Sequence, residues 1–179
     1  MTDNVWWEVY QNYTKLAIPL DTMWADIDYM DDYKLFTISE SRYGNLAKNV
    51  SYIKSQNMTF VPIMDNGVAV RKNENFLSYE KGMELDIFIK QADGKNPLTG
   101  GVWCGNAYFP DFMHSKADEY WHFMFDHLYT ELGLQFDGVW LDLNEATNFC
   151  NGYCIPSERP LDSLRNKPYY VPGWRDLED

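Results

Sequence analysis

Three short apolar runs in this chain each end in an aspartate, and helix-like segments separate them. The runs are Leu20-Asp21-Thr22-Met23-Trp24-Ala25-Asp26, Thr59-Phe60-Val61-Pro62-Ile63-Met64-Asp65 and Phe136-Asp137-Gly138-Val139-Trp140-Leu141-Asp142. Side chains alternate along a strand, so Leu20, Thr22, Trp24 and Asp26 share one face, as do Val61, Ile63 and Asp65, and Trp140, Asp142 and Asn144. Val139 and Leu141 take the other side of the third run. Strands alternating with helices select an α/β architecture with a parallel sheet, and parallel order brings Asp26, Asp65 and Asp142 to one rim. The expected fold is an incomplete sector of a (β/α)8 TIM barrel, with about three parallel barrel strands, connecting helices and a long loop insertion, because a whole barrel takes about 250 residues. Barrels keep catalytic groups at the C-terminal ends of their strands. A single strand-end aspartate is equally what caps a following helix.

Between the runs, residues 4–15 place Val5, Val9 and Tyr13 four apart with Trp6 and Tyr10 on a neighbouring stripe, the spacing of an amphipathic helix. Residues 41–55 predict a second helix with Leu46, Val50 and Ile53 on one face. Residues 115–133 predict a third, with Ser115 as N-cap, Trp121, Phe125, Leu128 and Leu132 as its stripe and Gly133 as its stop. Residues 66–114 are punctuated by glycines and prolines and read as a long excursion with one short strand near Leu85 to Lys90. Long loops of this kind at a barrel mouth shape the pocket. Pro62 removes a donor from its strand, whose ladder must tolerate the gap. After Phe149 the chain turns irregular.

A formal net charge of −12 and a pI near 4.5 argue against nucleic acid and anionic membrane surfaces as partners. A neutral ligand such as a sugar suits the 17% aromatic content, although aromatic residues also build ordinary cores. No apolar run reaches the length of a membrane span, and the N-terminus lacks the basic start and apolar core of a signal peptide. Sequons at Asn12, Asn49 and Asn57 would permit glycosylation of a secreted parent, or are chance in an Asn-rich chain. Cys150 and Cys154 could close a small loop or stand as two thiols, Cys104 is solitary, and no metal or cofactor site is expected.

The run Asp137-Gly138-Val139-Trp140-Leu141-Asp142-Leu143-Asn144-Glu145 closely resembles the nucleophile signature of glycoside hydrolase family 31, the α-glucosidase family. Leu143 stands where that family usually has Met. The stretch Asp26-Ile27-Asp28-Tyr29-Met30-Asp31 is similar to the segment whose first Asp holds the non-reducing glucose, and Ile63 with Asp65 to the strand lining the sugar pocket. Gly101-Val102-Trp103-Cys104-Gly105 followed by Phe109-Pro110-Asp111-Phe112 resembles the loop whose Trp packs on glucose, with Cys104 in place of the usual Pro. The resemblance runs from about Val9 to Gly173. It implies Asp142 as nucleophile, Glu145 holding and polarising the nucleophile loop, and Asp26, Ile27, Ile63, Asp65, Trp103 and Leu143 around the substrate.

The activity implied is hydrolysis of terminal α-glucosidic bonds in oligosaccharides by a retaining double displacement. The same resemblance puts the acid/base aspartate, and an Arg and a His that compensate the crowded carboxylates, on later barrel strands past the end of this sequence. It also implies an N-terminal β-sandwich in the full protein. This chain alone is therefore expected to be inactive, and residues 1–179 to be one fragment of the catalytic barrel domain. A catalytically dead sugar-binding fragment is the alternative. A nucleotide-sugar transferase using Asp26-Ile27-Asp28 as a metal site lacks the phosphate-cradling glycine loop and the basic cluster it would need. The family and the sequons together point to a secretory, lysosomal or vacuolar setting.

Overall fold

The computed structural model describes residues 1–72, 74–145, 147–150 and 154. Two parallel strands, β1 (Thr22–Ala25) and β2 (Thr59–Pro62), pair in the register Thr22↔Thr59 to Ala25↔Pro62. The third apolar run lies along β2 but forms only one parallel bridge, Ile63↔Trp140. Three backbone bonds fix it there: Asp137 N–H to Phe60 O, Trp140 N–H to Pro62 O, and Met64 N–H to Trp140 O, at 2.8 to 2.9 Å. The three-strand sector is thus present with its last member shortened. Pro62 contributes its carbonyl to that strand and gives none of these bonds a donor, so its missing N–H costs the ladder little.

Helix α1 (Asp3–Lys15) closes the lower side of this sheet. The Asp3 carboxylate is buried and accepts from the Asn45 backbone N–H at 2.9 Å and from its side-chain amide at 3.2 Å. Trp6 donates its indole N–H to Trp24 O at 2.7 Å and meets Phe60 edge-on at 5.9 Å. The face actually buried therefore carries Asp3 and Trp6, with Trp7 and Tyr10 packed beside Tyr52. Of the two neighbouring stripes the spacing offers, the one with Trp6 and Tyr10 packs inward, while Val5, Val9 and Tyr13 are 44%, 41% and 38% exposed. Indole and phenol rings remove more apolar area from water than two valines do, so they set the roll of the helix.

The predicted 41–55 helix is two pieces, α2 (Glu40–Tyr43) and α3 (Leu46–Ser55), separated at Gly44 and Asn45. Leu46, Val50 and Ile53 are all buried against the sheet, as their spacing predicts. Met23 and Ala25 of β1 and Phe60 of β2 form the other half of that core, whereas Trp24 points the opposite way and is 53% exposed. Trp24 meets Trp140 edge-on at 5.9 Å on that side of the sheet.

The excursion after β2 is more ordered than its composition suggests. Strands β3 (Val68–Ala69), β4 (Gly100–Val102) and β5 (Gly105–Tyr108) form an antiparallel sheet in the order β3-β5-β4, with helix α4 (Leu77–Glu84) between β3 and β4. The strand expected near Leu85 to Lys90 is only two bridges, Phe88↔Pro110 and Lys90↔Pro97. Helix α5 (Ala117–Asp126) starts without a side-chain cap, so Ser115 does not play that role. It runs into a π-turn at His127–Glu131, closed by Leu132 N–H to His127 O at 3.0 Å, and Gly133 ends it at φ 68°. Within α5 the buried face is rolled by one position from the predicted stripe: Tyr120, Met124 and Leu128 are buried, with Trp121, Phe125 and Leu132 partly so.

Candidate active site

Each of the three aspartates follows the C-terminal end of its strand. Asp26 stands one residue past β1, is exposed, and accepts the Ile27 N–H at 2.7 Å, capping a single 3-10 turn over Ile27–Tyr29. That turn sends the buried Tyr29 back across the sheet, where its hydroxyl donates to Ile63 O at 3.1 Å. One tyrosine thereby ties the rim after β1 to the rim after β2. Asp65 is 7% exposed. Burial pushes its carboxyl up to about 7, and the Asp142 and Asp26 charges add to the push in that order. Asp65 thus lies within electrostatic reach of both Asp142 and Asp26.

Asp142 is half-buried and precedes a strained turn. Leu143 has φ 58°, a left-handed conformation that costs a branched residue about 1–2 kcal/mol. The turn closes through Thr147 N–H to Leu143 O at 3.0 Å, and the Thr147 hydroxyl donates to the Glu145 carboxylate at 3.2 Å. Glu145 is exposed and bonded within the loop that carries Asp142. Leu143 is one of eight non-glycine residues with positive φ among the described residues, and the one that directly follows Asp142.

Trp103 occupies the two-residue turn of the β4–β5 hairpin, is 42% exposed, and meets Phe149 edge-on at 5.1 Å. Cys104, the other turn residue, is buried; burial pushes its thiol up to about 12, which leaves it protonated. The Arg71 guanidinium donates to Cys104 O at 3.1 Å and pairs with Asp32 at 3.0 Å, so a side-chain clamp fixes the turn where a proline ring would. Ile27 is partly buried against the core and Ile63 is buried.

Sequence reasoning missed the residue that joins this hairpin to the Asp142 loop. Asn148 Oδ1 accepts the Gly101 N–H at 2.9 Å and the Cys150 N–H at 3.2 Å, while Phe149 N–H reaches Gly101 O at 2.9 Å. Cys154 N–H adds Thr99 O at 2.7 Å, and Cys150 and Cys154 are disulfide-bonded. A Cβ on Gly100 would stand 2.2 Å from Phe109 Cε2 and 3.1 Å from Asn148 Oδ1. Gly100→Ala is therefore expected to destabilise by about 1–3 kcal/mol by loosening the contact between the hairpin and the Asp142 loop. Thermal melts check this; an unchanged melt would show that the contact is dispensable.

The family model "Glycosyl hydrolases family 31 TIM-barrel domain" matches residues 1–171. The chain belongs to glycosyl hydrolase family 31. It is 36% identical over 181 aligned residues to the "Probable alpha/beta-glucosidase agdC" of Aspergillus clavatus, covering 94% of this chain and 20% of that protein. It is 38% identical over 170 to "Glucoamylase 1" of Candida albicans, covering 91% and 18%. Among solved structures, a family 31 alpha-glucosidase from Bacteroides thetaiotaomicron superposes at TM-score 0.68 with 32% identity over 83% of this chain and 24% of that one. The glucosidase II alpha subunit superposes at 0.77 with 23% identity over 87% and 16%, a likeness of fold. The family 31 chain thus contributes a sector of the TIM-barrel fold, and it spans about a fifth of the length of the curated relatives it matches.

Proposed function

We propose that this chain is the nucleophile-bearing sector of a retaining α-glucosidase that acts on terminal α-linked glucose of oligosaccharides. The observation that supports it best is the placing of Asp26, Asp65 and Asp142 at the ends of neighbouring parallel strands, with a left-handed Leu143 directly after Asp142 and Trp103 packed on Phe149 further along the same loop. In this reading the Asp142 carboxylate attacks the anomeric carbon and the glycosidic oxygen leaves with a proton from the enzyme's acid. Water activated by the same group then cleaves the glycosyl ester, giving net retention. Asp26 binds sugar hydroxyls, Trp103 packs on the ring, and Glu145 supports the loop. The acid must lie about 5–5.5 Å from Asp142 and comes, with the remaining strands and a β-sandwich, from the full-length enzyme. Residues 1–179 are accordingly one fragment of its catalytic barrel domain.

The test uses an enzyme carrying this chain at the full length of its relatives. A fluorosugar or epoxide that traps the covalent intermediate should label the peptide containing Asp142, and an aryl α-glucoside should be cleaved in preference to the matching α-xyloside and β-glucoside. Labelling at Asp26 or Asp65 would refute the nucleophile assignment. Preference for the xyloside or β-glucoside would refute the substrate.

A further inference from the structure

Two of the residues read above as sugar-binding, Asp26 and Trp103, sit on loops far apart in the chain, and one guanidinium joins those loops. Arg71, two residues past β3, donates through Nη2 to Cys104 O at 3.1 Å and to the Asp32 carboxylate at 3.0 Å. Its Nη1 donates to Val70 O at 3.3 Å, and its Nε faces the Glu74 carboxylate at 3.5 Å. Cys104 follows Trp103 in the β4–β5 turn, and Asp32 lies on the loop that Asp26 opens after β1. Neither loop is held by its own backbone. The turn runs into Gly105 at φ 90°, where glycine's freedom would let the Cys104–Gly105 peptide rotate, and the bond from Arg71 to Cys104 O removes that freedom. On the other side Asp32, Tyr33 and Phe36 have φ 50°, 56° and 61°, conformations that persist only where their surroundings hold them. A planar fork that reaches a carbonyl and a carboxylate at once ties the two together.

We propose that Arg71 is a positioning residue for substrate binding: it sets the Trp103 indole against the β1 loop, so that ring packing by Trp103 and hydroxyl recognition by Asp26 fall on one glucose unit. The proposal rests on the sugar-binding roles given above to Trp103 and Asp26. Trp103 is 42% exposed and packs edge-on against Phe149, so the direction of its ring follows from the backbone of the turn. Arg71 acts through that backbone and not on the sugar. Its side chain is 18% exposed while that of Asp32 is 68% exposed, so the bond to Cys104 O is the better shielded end of the link and the ion pair with Asp32 the weaker one. Packing of an indole on a sugar ring is made alike in the ground state and in the transition state. Loss of the link therefore falls on KM rather than on kcat.

The experiment is a double-mutant cycle between Arg71 and Trp103 in the full-length enzyme, with glucose binding followed by calorimetry and KM and kcat measured on an aryl α-glucoside. Arg71→Ala should weaken glucose and raise KM by about tenfold, as Trp103→Ala does, with the larger change on KM. The double variant should bind glucose within about twofold of Trp103→Ala alone, because Arg71 has nothing to act through once the indole is gone. Arg71→Lys, which keeps the charge but not the fork, should recover part of the affinity. Asp32→Asn keeps a side chain that accepts the left-handed backbone and should cost about two- to threefold. Normal glucose affinity in Arg71→Ala overturns the proposal, and so does a loss that adds in full to that of Trp103→Ala, which would mark a general loosening of the sector. Should Arg71→Ala fail to fold, Arg71→Lys and Asp32→Asn decide, and wild-type affinity in both overturns it. Wild-type affinity in Trp103→Ala would instead show that the sugar-binding role of Trp103 is wrong, a separate result that removes the proposal with it.

Discussion

Asp142→Asn in the full-length enzyme should lose at least about 10,000-fold in kcat. The amide that replaces the carboxylate is isosteric, so the strained turn at Leu143 and the Thr147 bond to its carbonyl survive, and so does sugar binding. What disappears is the capacity to form the ester, because an amide oxygen is a poor nucleophile and carries no charge to stabilise the developing oxocarbenium ion. KM should change little. On the role proposed for it, Asp26→Asn should behave differently in kind: its carboxylate is exposed at the end of β1, so the loss should fall on kcat/KM through weaker sugar binding and orientation. Steady-state kinetics on an aryl α-glucoside separate the two. Turnover near the wild-type level in Asp142→Asn would remove the nucleophile from this chain.

The strand ends were legible because a period-two apolar run ending in a carboxylate is a local signal, and the family signature reinforced it at Asp26, Asp65 and Asp142. Helix α3 was legible for the same reason, its Leu46, Val50 and Ile53 lying on one face. The antiparallel sheet of β3, β4 and β5 was not. Its strands are two to four residues long, two of them carry glycines, and their pairing joins positions as distant as Val68 and Tyr108, which no local pattern encodes. Periodicity shows that α1 is amphipathic but offers two adjacent stripes, and only the tertiary partners, Trp24 and Phe60, choose between them. The Asn148 bridge and the Arg71 clamp are single polar contacts to backbone across long loops. Neither leaves a mark on composition or period.

How the third strand is held with one bridge is answered by Asp137, and its removal should be felt both in stability and in catalysis. Its N–H donates to Phe60 O, and its carboxylate accepts the Phe60 N–H at 2.9 Å while pairing with Lys54. One residue thus exchanges two bonds with Phe60, doing for this strand what a longer ladder would do. Asp137→Ala leaves the amide of the buried Phe60 without its acceptor, a loss of about 1–3 kcal/mol, to which the half-exposed Lys54 pair adds at most about 1 kcal/mol. Asp142 lies five residues further along the same segment, so a shift of about 1 Å there would lower kcat by about 100-fold. The pH dependence has a definite sign. Burial pushes the Asp137 carboxyl up, but the Lys54 bond, the Phe60 N–H and the Lys54 charge outweigh it and hold the group below its ordinary value. The stabilisation is then present above the unfolded carboxyl pKa of about 4 and is lost as pH falls through the lower folded value. The gap in melting temperature between wild type and Asp137→Ala should accordingly be widest near neutrality and narrow in acid. Asp137→Asn keeps an acceptor for the Phe60 N–H but not the charge that pairs with Lys54, so it should melt between wild type and Asp137→Ala near neutrality and approach wild type in acid. Should Asp137→Ala melt with wild type at neutral pH and keep its turnover, the carboxylate is not what fixes the strand that carries Asp142.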